Sequence, residues 1–151
     1  MKNNILDNVA EDLFSTLPLI DRSIRRKLLK MALISISEDI TPPHFEIMKL
    51  LDETGTLHVA EIGERLWIAR PQMTYLIDKL VGLDIVERQT NTEDRRMLNI
   101  TLTDKGKTIF REHDSYIKNA TKEVLSCLTD KDLQDLSASL RKLKDIFSKL
   151  Q

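Results

Sequence analysis

What is scarce in this chain narrows it first. One cysteine, Cys127, stands among 151 residues, so no intramolecular disulfide can form, and a lone thiol suits a reducing compartment. Four glycines and 5 % aromatic residues disfavour a β-rich sandwich or barrel, while 41 % hydrophobic residues suffice for a core. A mainly helical protein follows. No run approaches ~20 consecutive apolar residues, and the opening MKNNILDNVAEDLF is acidic and polar where a secretory signal would be basic and then apolar. The expected location is the cytoplasm, with no membrane partner. A net charge of −1 excludes an even coat of positive charge, so any surface for a polyanion must be local, with acidic residues placed elsewhere. Catalytic signatures are missing too: there is no G-x-S-x-G elbow, P-loop, dinucleotide-binding glycine pattern or histidine–carboxylate metal motif. An enzyme, a resident cofactor and a metal are not expected.

What is present is helical patterning interrupted once by a hairpin. Leu6, Val9, Leu13, Leu17, Ile20, Ile24, Leu28 and Met31 fall three or four apart and make one stripe on a long helix. Pro18 removes a backbone donor inside this stripe and should kink the helix or split it, with Ser15 or Thr16 capping the second half. Thr41-Pro42-Pro43 is an N-cap followed by proline in the first turn, and Phe45, Ile47, Met48, Leu50 and Leu51 supply the inner face of a short helix ended by Gly55. A second start at His58 brings Val59, Ile62 and Leu66, with Gly63 where a crossing helix can approach closely. Ala69 to Leu80 is the next helix. Pro71 is tolerated in its first turn, Met73, Leu76, Ile77 and Leu80 face inward, and Arg70, Gln72, Thr74, Tyr75 and Lys79 face outward.

Residues 85–89 and 97–102 then tend to alternate apolar with polar, joined by the polar loop Asn91-Thr92-Glu93-Asp94-Arg95-Arg96. Thr103-Asp104-Lys105-Gly106 caps a long helix, and Thr129-Asp130 starts a last one bearing Leu133, Leu136, Leu140, Leu143, Ile146 and Leu150. Two short helices, a hairpin with a basic tip and a further helix are the parts of a winged helix-turn-helix, which sets one helix in the DNA major groove and a loop beside it. A groove-entering helix must carry hydrogen-bonding side chains near its N-terminus. Gln72 can pair with adenine, Thr74 can bond a base edge or pack on a thymine methyl, and Arg70 can reach guanine or phosphate. At the hairpin tip, a carboxylate at Asp94 two residues before Arg96 can hold that guanidinium extended for a narrow minor groove, with Arg95 alongside for phosphate.

On these residues the chain resembles the MarR (multiple-antibiotic-resistance regulator) family of winged-helix transcription factors. The resemblance is carried by ITPPHFEIMKLL, ARPQMTYLIDKL, DIVERQ, the wing DRR and the following LTDKG. It implies a winged helix-turn-helix lobe over 40–106, flanked by dimerisation arms at 1–38 and 107–151. It also implies a homodimer on a pseudo-palindromic operator, usually as a repressor, with Arg70, Pro71, Gln72, Thr74 and Tyr75 at the DNA-facing helix start and Asp94 and Arg96 as the wing pair. Three departures stand out. Asp84 replaces the glycine common before the first wing strand, so either Asp84 is left-handed or the helix ends sooner at Gly82. Trp67 occupies the turn between the helices, where core or inter-lobe packing is expected of it. Residues 90–93 lack the proline frequent in the family's wing.

The flanking stripes themselves argue for pairing, because one copy offers too little opposing surface to bury both; the alternative is that they pack on each other within a monomer. The family's small phenolic or lipophilic effectors imply a pocket drawing on Ile24, Leu28, His44, Phe45 and Met48. Cys127, among Val124, Leu125 and Leu128, is expected to be buried and inert. A zinc site of His44, Glu112 and His113 lacks ligand spacing. The competing function is a winged-helix protein-interaction module that never touches nucleic acid. The exposed cationic and amide set argues against it, since acidic or apolar residues would fill those places.

Overall fold

The computed structural model describes residues 1–25 and 39–150. Helix α1 (Lys2–Ile20) is not split at Pro18. Instead it ends two residues later and passes into a π-turn at Asp21–Arg25, where the Asp21 N–H reaches the carbonyls of Leu17 and Pro18. Ser15 caps nothing, since its hydroxyl donates back to the Asp12 carbonyl at 3.0 Å. Leu28 and Met31 lie outside the described residues.

Helix α2 (Pro42–Thr54) starts at Thr41 and ends at Gly55, whose φ of 82° needs glycine. Its inner face is Ile47, Met48 and Leu51 together with His44, while Phe45 and Leu50, expected inside, are only half-buried. A two-residue strand β1 (Leu57–His58) leads into α3 (Val59–Leu66), and a turn leads to α4 (Arg70–Gly82). Gly63 lets the two helices cross, for a Cβ there would stand 3.1 Å from both the Ile68 carbonyl oxygen and the Met73 side chain. Strands β2 (Val86–Thr90) and β3 (Leu98–Leu102) form the hairpin, and β1 adds to β3 with Leu57 opposite Ile100. The sheet is therefore three-stranded, in the order β1-β3-β2, where the sequence suggested only a hairpin. Two residues are too few for a visible alternation.

Between α4 and β2 the chain settles the question left at Asp84. Helix α4 ends at Gly82 and Asp84 is also left-handed, with φ 59°. The Ile85 N–H bonds the Leu80 carbonyl at 2.9 Å and the Asp84 N–H bonds Val81 at 3.0 Å. This is a Schellman closure with aspartate in the glycine's place, locked by the burial of Leu80 and Ile85.

Helix α5 (Asp104–Leu125) begins where Thr103 Oγ accepts the Gly106 N–H at 2.9 Å, and Phe110 from it enters the core. That core joins Ile47, Met48 and Leu51 to Ile62, Met73, Leu76, Ile77, Leu80, Ile85, Val86, Ile100 and Leu102, all in one compact unit whose described residues are 39–116. A second unit contains α1 and α6 (Asp130–Phe147). Neither α1 nor α6 buries a residue. Ile5, Leu6, Val9, Phe14 and Leu17 of α1 are exposed, as are Leu140, Leu143 and Ile146 of α6.

Candidate nucleic-acid interface

The first turn of α4 is built to present side chains. Ala69 is the N-cap, Pro71 fits because that position has no helical acceptor to satisfy, and Met73, Leu76, Ile77 and Leu80 fasten the opposite face in the core. Arg70, Pro71, Gln72, Thr74 and Tyr75 are left exposed. Thr74 Oγ donates to the Arg70 carbonyl at 3.3 Å, which leaves its methyl and an oxygen lone pair outward. Guanidinium, amide and hydroxyl thus stand together beside the helix's free N–H groups, a set that can bond base edges and phosphates alike.

Lys79 differs from that set. It is half-buried and lies 3.3 Å from Asp39, so its charge is engaged within the lobe.

An open groove of about 790 Å³ separates this helix from the wing. Trp67, Arg70 and Thr74 line one wall, Arg88, Arg96 and Met97 the other. Arg88 on β2 pairs with Asp78 on α4, which ties the base of the wing to the helix. The sequence hides this pair, because only the β2 register places the two side chains together.

At the tip, Asp94 acts otherwise than expected. Its Oδ1 accepts the backbone N–H of Arg96 at 2.9 Å, and no ion pair joins it to the Arg96 guanidinium among the described residues. The carboxylate therefore fixes the turn's backbone, helped by the Met97 N–H on the Asp94 carbonyl at 3.1 Å and by the Glu93 N–H on Asn91 Oδ1 at 2.8 Å. Arg95 and Arg96 both extend into solvent.

The MarR family profile matches residues 40–98, from just before α2 to the first residue of β3. Across 125 residues the chain is 30 % identical to the HTH-type transcriptional repressor MdtR of Bacillus subtilis (strain 168), covering 82 % of this chain and 81 % of that protein. The chain belongs to the MarR family. As a MarR-family protein it is a DNA-binding transcriptional regulator. The YusO protein from Bacillus subtilis has a similar structure, with TM-score 0.70, 28 % identity and coverage of 90 % of this chain and 97 % of that one. A MarR family protein from Bacillus stearothermophilus shares the fold at TM-score 0.78 and 24 % identity, covering 94 % and 97 %.

For Trp67 and Cys127 of this MarR-family chain the structure departs from the sequence expectation. Trp67 packs in no core: it is 90 % exposed and left-handed, with φ 56°, at the end of α3. Cys127 is exposed in the turn after α5, its Sγ directed to the Val124 carbonyl at 3.5 Å, because the turn lifts it off the helix's apolar stripe. Of the effector-pocket residues, Leu28 lies outside the described residues and Ile24 belongs to the unit that contains α1. His44 and Met48 are packed into the core of the other unit, and Phe45 stacks on His113 at 3.7 Å between ring centroids. Among the described residues no three histidine, cysteine, aspartate or glutamate side chains converge on a metal position, and an aromatic ring rather than a carboxylate covers His113.

The two histidines were not singled out for their protonation. The Thr41 N–H donates to His44 Nδ1 at 3.0 Å, so the ring is the Nε2–H tautomer, and Nε2 is buried with no partner among the described residues. Burial pushes the His44 pKa below its ordinary value, and the Lys79 ammonium pushes it the same way. His113 is lowered by burial too, against an opposing pull from Asp114.

Proposed function

We propose that two copies of this chain pair and repress transcription in the cytoplasm by occupying a pseudo-palindromic operator. Each copy inserts the first two turns of α4 into a major groove and the wing tip into the flanking minor groove. The observation that carries this reading is the exposure of Arg70, Gln72 and Thr74 in the first turns of α4, with Arg70 and Thr74 on one wall of a groove whose other wall holds Arg96. Gln72 and Thr74 supply discrimination, Arg70 and Arg95 hold phosphate or guanine, and Pro71 and Tyr75 shape the helix surface between them. Arg96 enters the minor groove from a turn whose backbone Asp94 has fixed.

Pairing is supported by the apolar stripes of α1 and α6, which are exposed in a single copy. A two-fold dimer sets its half-sites about one helical turn apart, roughly 10 bp. Release by a small phenolic or lipophilic effector follows the habit of the family, whose members are typically homodimeric repressors.

The test is a random-pool duplex selection with purified protein at moderate salt, followed by sedimentation equilibrium. The expected result is a two-fold symmetric consensus and a mass twice 17.5 kDa. Retention of no duplex refutes the DNA reading, and a monomer mass at micromolar concentration refutes pairing.

A further inference from the structure

The turn between α3 and α4 contains a residue that local structure does not account for. A chain reversal in the left-handed conformation is served best by glycine or asparagine, and a bulky side chain there costs about 1–2 kcal/mol. Trp67 nevertheless holds it, with φ 56° and ψ 40°. It is the chain's sole tryptophan and is 90 % exposed, so the largest apolar side chain available gains nothing from the core. No hydrogen bond to its indole is present among the described residues. A strained backbone bearing an exposed aromatic ring points to use outside the fold.

Its surroundings say which use. Trp67 lies on the same groove wall as Arg70 and Thr74, three residues before the recognition helix begins, and faces a groove that also holds Arg88 and Arg96. With Arg88 paired to Asp78, Arg70 and Arg96 against the single carboxylate of Glu64 still leave that lining net positive, which favours a polyanion over an apolar protein surface.

We propose that Trp67 is a DNA-contact residue. Its indole face packs on the deoxyribose and thymine methyl at the lip of the major groove, and Nε1–H, a donor with no acceptor among the described residues, bonds a backbone phosphate oxygen. The proposal rests on the DNA-binding reading above and adds an indole, ahead of the first turn of α4, to the contacts made by Arg70, Gln72 and Thr74.

The experiment uses the full-length protein and a duplex recovered from the random pool with the wild type. Trp67→Asn keeps a residue suited to the left-handed turn and removes the ring, and Trp67→Phe keeps the ring and removes the donor. Asn is expected to raise Kd by about tenfold, and Phe to fall between Asn and wild type. Melting temperatures of both variants should match or exceed the wild type. Because Trp67 is the only indole, its emission should also shift and its quenching by acrylamide should fall when duplex is added. An Asn variant binding within twofold of wild type overturns the contact, as does indole emission and quenching unchanged at saturating duplex. Either failure leaves the DNA-binding reading intact, whereas a wild type that retains no duplex overturns both.

Discussion

Replacing Gly106 with alanine tests how tightly the wing is anchored to the lobe. A Cβ built at Gly106 overlaps the carbonyl oxygen of Ile85 and would stand 2.9 Å from its carbonyl carbon and 3.2 Å from its Cγ2. An ordinary carbon–oxygen contact needs about 3.3 Å, so α5 and the chain entering β2 would have to part by about 1 Å. That movement strikes the bonds that join them. The Ile85 carbonyl accepts the Thr103 N–H at 3.0 Å and the Thr103 hydroxyl at 3.1 Å, and the same hydroxyl donates to the Asp84 carbonyl at 2.6 Å. Two or three such bonds at about 0.5–1.5 kcal/mol each, with strain added and about 1 kcal/mol returned by alanine's helix preference, give a net loss of about 2–4 kcal/mol. That is a large share of the ~5–15 kcal/mol that typically holds a domain. The internal control is Gly82, where a Cβ meets nothing within 4 Å, so Gly82→Ala should be neutral or stabilising by up to about 1 kcal/mol. Urea unfolding followed by circular dichroism at one protein concentration reads both. A Gly106→Ala midpoint equal to or above the wild type refutes the close-approach argument, and so does a Gly82→Ala loss of the same size.

Three further outcomes are expected. Arg96→Ala should weaken operator binding by about 1–3 kcal/mol without changing the urea midpoint, and an unaltered gel-shift titration would remove the wing from recognition. Asp84→Gly should raise stability by about 0.5–1 kcal/mol, since glycine adopts φ 59° without strain; a lower melting temperature would show that the aspartate side chain contributes more than its backbone costs. His44 and His113 have folded pKa values below the unfolded value of about 6.5. The unfolded chain therefore binds more protons as pH falls, and the stability these rings contribute is complete above about 6.5 and lost toward their folded pKa values. Urea midpoints should fall between pH 7.5 and 5.5, and a variant with both histidines changed to glutamine should show a shallower fall; equal slopes would place the effect elsewhere.

Much of this molecule was legible in its residue order. The spacing of Met73, Leu76, Ile77 and Leu80 decided which face of α4 turns inward and so left Arg70, Gln72 and Thr74 outward, because a helix's period relates neighbours three and four apart without reference to anything distant. The caps at Thr41, Thr103 and Thr129 were equally local, as were the alternatives open at Asp84, both of which the structure realises. Tertiary structure alone decided the rest. β1 exists because β3 offers Leu57 an edge opposite Ile100, Arg88 finds Asp78 only across the folded hairpin, and Lys79 is taken by Asp39 from a distant part of the chain. Asp94 chose a backbone donor over a guanidinium once the turn had closed, and Trp67, expected inside, was left in solvent by a left-handed residue at the end of α3. Periodicity fixes what a short segment does with its own faces, whereas pairing and exposure depend on which surfaces meet, and that is set only when the chain has folded.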